Sequence, residues 1–392
     1  MTSRSSALKA PAVRTADGSA AVTRLAWIFG DRDVLMLLRR PLLAATHQQR
    51  HKVLALAPDL TPADQLELAE LGIDSAAITL PASGFNPFTA VPARRRLAHT
   101  LHTWRANALI IETGESMDLA ARAAAQAGVA GIFPLLPPLE SGAPANPKIA
   151  ANVSWRHALS LASAVFVQTP NDARLLAGPL AKVQVPQHQL PAASLDLARL
   201  QDQALPTLEF GFVFFGLDCG ASDAGPAFAN AVAAFGARCP HAKFRLAQSD
   251  PSTGVAASKN PSRLEISAFD ATSTSAQDDL LARALQAHVV VIDGTSAYQT
   301  LLLVLALALG RPVLLVDDVA HRNFIDVGVN GWLVPRGDAT ALADCMASIL
   351  KRPDLLPGMA RAARQKAERR FDEHSAMTVL STALGFGDLR VR

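Results

Sequence analysis

The 392-residue sequence predicts an α/β protein of two Rossmann-like domains. Two observations carry this. Short apolar runs alternate with stretches of helical length along the whole chain, as in repeated β-α-β units. The runs are nearly continuous in apolar residues rather than alternating, as strands of a parallel sheet covered on both faces must be. Half the residues are hydrophobic and 18% are charged, so each half can bury a core and wholesale disorder is excluded.

The first half opens with RLAWIFG (24–30), a strand ending in glycine, before a helix over 34–49. HKVLALAP (51–58) is the second strand, 62–71 a helix and SAAITLP (75–81) the third strand. A helix over 93–104, the strand ALIIET (108–113), a helix over 118–127 and the strand AGIFPLLPP (130–138) follow. A helix over 154–162 leads to AVFVQT (164–169). The second half repeats the theme with strands EFGFVFFG (209–216), AKFRLAQ (242–248), SRLEISAF (262–269), HVVVID (288–293), RPVLLVDD (311–318) and 330–335. Helices over 226–238, 277–287, 297–309, 339–350 and 358–370 separate and follow them. The polar segment LDLARLQDQALPT (195–207) marks the boundary, giving domains over 23–203 and 204–370.

Residues 1–22 are rich in Ser, Ala, Thr and Arg without an apolar core, and read as a disordered tail. The longest apolar run, LLLVLALAL (301–309), spans about 13 Å as a helix, too short for a bilayer core of about 30 Å. It reads as a buried helix, and the protein is expected to be cytoplasmic. Net charge is +3, divided as +5 over residues 1–200 and −2 over the rest, which leaves no nucleic-acid footprint. Three cysteines (Cys219, Cys239, Cys345) fit a reducing compartment. His99 and His102 share a helix face, but no acid or cysteine completes a metal set, so no metal is expected.

The last third, with GRPVLLVDD, NGWLVPRGDATALADCMASIL and GMARAARQKAERRFDEHSAM, resembles family 4 glycosyltransferases of the GT-B fold. Fainter matches at Arg40, Pro41, Leu42, Asn86, Pro87, Gln168, Asp172, Pro191, Ser194 and Asp196 resemble the members that build bacterial surface polysaccharides. The resemblance implies two domains facing across a cleft, with residues 371–392 forming a crossover helix and tail. It implies an N-terminal acceptor domain and a C-terminal nucleotide-sugar donor domain. The nucleotide-sugar is a substrate, and no cofactor is implied. The implied reaction is retaining and metal-independent, towards a lipid-linked or glycan acceptor, with weak docking at the inner membrane. Arg94, Arg95 and Arg96 read as such a basic contact or as a solvated helix face. Arg361, Arg364, Lys366, Arg369 and Arg370 read as the exposed side of the terminal helix.

The donor residues that the family implies are largely replaced. Gly216 is kept, but the following arginine is Leu217 and the later K-G pair is Ala224-Gly225. The two acids of E-x7-E fall on Ala297 and Leu305. In the family's C-R-E, the acid is Asn323 and Arg322 is kept. A charge-assisted hydrogen bond contributes roughly 1.5–3 kcal/mol, so four losses weaken donor binding by several kcal/mol. What survives is the strand-to-helix turn of Asp293, Gly294, Thr295 and Ser296, whose helix N-terminus offers N–H groups to a phosphate. Thr295 and Ser296 read as helix cap or phosphate contact, and Tyr298 as filling part of the sugar pocket. In the first domain, Gly30 and Arg32 occupy one strand-to-helix loop, and Thr113, Gly114 and Glu115 another, as acceptor-side loops or plain turns. Two functions are therefore carried forward: a glycosyltransferase of surface-glycan synthesis, and a non-catalytic GT-B-like subunit that binds glycan or pairs with an active transferase.

Overall fold

The structure is a computed structural model. It describes residues 23–81, 87–114, 116–138, 153–180, 185–197, 200, 203–208, 211–218, 227–235, 242–248, 264–270 and 276–385. The tail over 1–22, Glu115, Ala224, Asn86, Cys219 and Cys239 lie outside these. The chain forms two compact units, residues 1–191 with 373–392, and residues 192–372.

The first unit holds β1 (Arg24–Phe29), β2 (Lys52–Ala57), β3 (Asp74–Ala77), β4 (Ala108–Glu112) and β5 (Gly131–Pro134), all parallel, in the order β3-β2-β1-β4-β5. A pair, β6 (Val165–Val167) with β7 (Gln187–Gln189), lies beside them. The helices are α1 (Arg40–Gln48), α2 (Pro62–Glu70), α3 (Pro87–Trp104), α4 (Met117–Ala127), α5 (Val153–Ser160) and α6 (Pro170–Leu180). Successive β1 residues serve opposite faces, as a strand's period of two requires. Ala26 and Ile28 pack with Leu97, Leu101 and Ala120, while Leu25, Trp27 and Phe29 pack with Leu35, Leu42 and Leu380.

The single helix expected over 34–49 is instead a six-residue π-helix, Val34–Arg39, followed by α1. Pro41 has no N–H to donate to Leu37, and the Arg40 N–H reaches back to the Leu35 carbonyl.

The second unit holds β8 (Phe212–Asp218), β9 (Ala242–Gln248), β10 (Leu264–Ala268), β11 (Val289–Ile292), β12 (Val313–Val316) and β13 (Gly331–Val334), in the parallel order β10-β9-β8-β11-β12-β13. Its helices are α7 (Ala227–Phe235), α8 (Ala276–Leu285), α9 (Ala297–Ala308), α10 (Ala339–Leu350) and α11 (Leu356–Arg370). A last helix, α12 (Glu373–Leu384), belongs to the first unit, where Met377 and Leu380 join the core beside α1.

Residues 192–203, assigned above to the first domain, fall in the second unit. Two arginines tie this segment down. Buried Arg311 donates to the carbonyls of Gln203 (2.8 Å), Ala204 (3.1 Å), Leu285 (3.2 Å) and Leu309 (3.0 Å). Arg364 donates to Leu197 (3.3 Å), Leu200 and Ala308 (2.7 Å). Arg364 and Lys366 are thus not on the exposed side of the terminal helix. Lys366 is buried against Asp326 at 2.9 Å. Packing α11 on α9 turns both cations inward, where carbonyls and a carboxylate satisfy them.

His288 is buried beside Phe212 and accepts the Val213 N–H through Nδ1 at 3.0 Å. Burial pushes its pKa down from 6.5, and the charge of Arg311 adds to this against a main-chain contact at Pro206. The folded unit therefore binds fewer protons than the unfolded chain. The stability that neutral His288 contributes is complete above pH 6.5 and is lost as pH falls below it. We expect the urea midpoint to drop between pH 7 and 5, and His288→Gln to flatten that drop in circular-dichroism unfolding curves.

Candidate functional site

In each sheet the strand order reverses once, and open α/β sheets bind ligands outside the carboxyl ends of the strands at that point. The reversal lies between β1 and β4 in the first unit and between β8 and β11 in the second. The residues singled out from sequence fall largely at these ends. Gly30 follows β1, Thr113 follows β4, Gly216 and Leu217 end β8, and Gly294, Thr295 and Ser296 join β11 to α9.

At the second unit, Ser296 is the N-cap of α9 and its Oγ accepts the Gln299 N–H at 3.2 Å. The remaining first-turn N–H groups have no partner within the helix, as at any helix start. Gly216 has a packing reason: a Cβ there would lie 2.7 Å from the Phe228 ring. Leu217, Ala297, Tyr298 and Leu305 are buried, and Tyr298 meets Phe269 edge-on at 5.5 Å. An acid at position 305 would be an uncompensated charge in the core.

Sequence reasoning missed the polar groups that organise this end. The Gln299 amide donates to the Leu217 carbonyl and to Asp293 at 3.2 Å, tying α9 to the ends of β8 and β11. Gly294 leaves room for it, since a Cβ there would come within 3.3 Å of the Gln299 side chain. Asp293 also accepts the Phe228 N–H at 3.3 Å, and Asp218 accepts from Gln248 at 3.3 Å. Burial, with the charge of Asp218 adding, pushes the Asp293 carboxyl up to about 6 against the hydrogen bonds from Phe228 and Gln299. No lysine or arginine stands among residues 216–218, 247–248 and 292–296. The described part of this end is thus acidic where the resemblance implied cations. Arg322 lies beyond β12, in an ion pair with Asp317 at 3.0 Å.

At the first unit, Gly30 donates its N–H to the Glu112 carbonyl at 3.0 Å, and a Cβ on Gly30 would make only ordinary contact with Thr113. Buried Arg39 forks onto the Glu112 carboxylate at 2.7 and 2.9 Å, reaches the Pro191 carbonyl, and lies 5.7 Å from the Trp27 ring centroid. Sequence reading pointed to Arg40, which pairs with Glu67. The missed signal is that Arg39 ends the segment just before Pro41. Arg32 is held by Asp64 (2.7 Å) and Asp33 (2.8 Å). Asp64 also completes a capping box with Thr61 at the start of α2. Thr113 is buried, and its hydroxyl has no partner among the described residues. Asp172 likewise forms a reciprocal cap with Thr169 at 2.9 and 3.1 Å. Among the described residues, no three His, Cys, Asp or Glu side chains cluster as a metal site needs, and no helix is long and apolar enough to cross a membrane.

No protein-family model matches the chain. Over 80 residues, 20% of this chain, it is 36% identical to the amylovoran biosynthesis glycosyltransferase AmsK of Erwinia amylovora. Over 72 residues, 18% of the chain, it is 43% identical to a phosphatidyl-myo-inositol mannosyltransferase of Mycobacterium leprae. Each match spans 19% of the relative's own length. Among solved structures, Anabaena Alr3699/HepE in complex with UDP and glucose matches with a TM-score of 0.64 at 15% identity, over 93% of this chain and 99% of that one. The fold is that of the GT-B glycosyltransferase structures, α/β with two parallel sheets and flanking helices.

Burial opposes ionisation of Asp64, but hydrogen bonds from Arg32 and Thr61 outweigh it and hold the carboxyl below its usual range. Asp64→Ala removes a helix cap and the partner of Arg32, and should cost about 2–4 kcal/mol in urea unfolding at pH 7. Because the folded carboxyl is the stronger acid, its contribution is present above pH 3.8 and is lost as pH falls further. The gap between mutant and parent should therefore narrow from pH 5 to pH 3.

Proposed function

We propose that the chain is a glycosyltransferase that moves a sugar from a nucleotide-sugar donor to a lipid-linked or polysaccharide acceptor in cell-surface glycan synthesis. One observation carries this: a helix start capped by Ser296 at the order reversal of the second sheet, in a chain whose fold follows that of a structure holding UDP and glucose. The local similarities to AmsK and to the mannosyltransferase support the surface-glycan reading.

In this proposal the N–H groups of residues 294–298 and the dipole of α9 stabilise the leaving diphosphate as its charge develops. Gly216, Gly294, Thr295, Ser296 and Tyr298 line the donor, with Arg322 at its edge. Gly30, Arg32 and Thr113 belong to the acceptor side. The reaction is retaining and metal-independent. The exposed Arg95 and Arg96 of α3 give weak contact with anionic inner-membrane lipid from the cytoplasmic side. The second reading, a non-catalytic partner or glycan-binding subunit, is favoured by Asp218 and Asp293 at the donor end and by the pairing of Arg322 with Asp317.

Calorimetry with UDP-, GDP- and ADP-sugars tests the proposal. We expect one of them to bind with a Kd of roughly 0.1–1 mM, about −4 to −5.5 kcal/mol. Absence of binding to every donor at millimolar concentration overturns the transferase reading, and co-purification with a second glycosyltransferase supports the other. A nucleotide-sugar diphosphate has no group titrating between pH 5 and 8, so any pH dependence reports on the protein. Asp293 is mostly neutral below about 6 and charged above it. Affinity should therefore be about three- to tenfold higher at pH 5.5 than at pH 7.5, and Asp293→Asn should remove the difference.

A further inference from the structure

We propose that Thr300, His321 and Asp318 form a positioning relay that holds the first turn of α9 where its N–H groups can receive the donor. This deepens the reading of that turn as the donor site and rests on it.

The three side chains come from separate elements. Thr300 stands in the first turn of α9, Asp318 two residues beyond β12, and His321 immediately before the short 3-10 turn Arg322–Phe324. All three are buried, at 8%, 5% and 0% exposure. The Thr300 hydroxyl lies 2.8 Å from His321 Nε2, and His321 Nδ1 lies 3.0 Å from Asp318 Oδ2. Asp318 Oδ1 accepts the His321 main-chain N–H at 2.9 Å, and its carbonyl accepts the Arg322 N–H at 3.1 Å. The carboxylate is thus fixed to its own loop, and the imidazole is held at both nitrogens. From Thr300 the path continues to the cap: its hydroxyl lies 3.1 Å from the Ser296 carbonyl, which also accepts the Thr300 N–H at 3.0 Å.

Proton accounting shows why this is a tie. The carboxylate accepts, so Nδ1 carries a proton. With a neutral ring, Nε2 accepts the Thr300 hydroxyl proton. With a charged ring, Nε2 donates to the Thr300 oxygen, and the hydroxyl turns to the Ser296 carbonyl. Rotation of one hydroxyl keeps every group satisfied in both states.

The relay matters because side-chain anchors are scarce. On the family resemblance Leu217, Ala297 and Leu305 stand where side chains would hold a donor, so on the proposed reading binding falls to backbone dipoles. Backbone dipoles stabilise charge only when they are already in place, and supporting hydrogen bonds keep them there. A ligand need not touch His321 for its loss to be felt.

The test uses the full chain with two readouts: amide hydrogen exchange over residues 296–300 and 318–325 without ligand, and calorimetry with UDP-glucose. Thr300→Val keeps the volume and removes the hydroxyl, Asp318→Asn breaks the other end, and Thr300→Ser is the conservative rescue. We expect Thr300→Val and Asp318→Asn to speed exchange in both segments about tenfold and to raise Kd about five- to tenfold, with Thr300→Ser near the parent in both. Unchanged exchange, or faster exchange with unchanged Kd, overturns the relay. If the parent chain itself binds no UDP-glucose while binding another nucleotide-sugar, that donor replaces it in the same comparison. If it binds none, the donor reading fails and the relay's role in donor binding fails with it. A parent that binds beside a Thr300→Val variant that binds equally sinks the relay alone.

Discussion

Every residue of α9 is buried, and the second unit is arranged around that fact. A helix that is apolar on all sides has no solvent face and must be enclosed. Enclosure fixes its axis, and with it the position of its N-terminus at the end of β11. The same enclosure accounts for the residues at 297 and 305. A carboxylate at 305, inside a fully buried helix, would need a partner that the surrounding leucines do not provide. The loss of the expected acids and the quality of this core are one property seen from two sides.

The polar groups near α9 arise from its burial as well. A buried helix start needs its orphan donors and neighbouring carbonyls satisfied from within. Ser296 caps one N–H, Gln299 reaches the Leu217 carbonyl, and Arg311 and Arg364 gather carbonyls at the other end, including those of Leu309 and Ala308. These bonds bring together segments distant in sequence, among them residues 192–204. Residues 195–204 thus lie with the second unit through these bonds and the main-chain bond from Leu195 to Phe371.

Sheet composition was legible because parallel strands write their burial as unbroken apolar runs. Most expected strands and helices of the second half stand within a few residues of their places. Periodicity could not reveal contacts that depend on three dimensions. Asp318 and His321 sit three residues apart in an ordinary loop, and nothing in the sequence announces Thr300 opposite them. Asp293 was legible as part of a turn, but its raised pKa comes first from burial, with the charge of Asp218, 75 residues away, adding to it. Arg32 read as an acceptor-side residue and Asp172 as a match to a family motif; in the fold Arg32 is paired with Asp64 and Asp172 caps with Thr169. Polar residues at strand ends serve both purposes, and only geometry separates them.

The π-helix over Val34–Arg39 carries a constraint of a different kind. Its wider turn sets the angular phase at which Arg39 leaves the backbone, and that phase aims the guanidinium at Glu112 and the Pro191 carbonyl. Each residue added to or removed from a helix rotates every later side chain about the axis, by about 100° in an α-helix and by less in the wider π turn. One deletion between Asp33 and Arg39 would swing the guanidinium out of its fork, whatever residues remained. The segment is therefore bound by its length as well as by its buried side chains Leu35, Met36, Leu38 and Arg39.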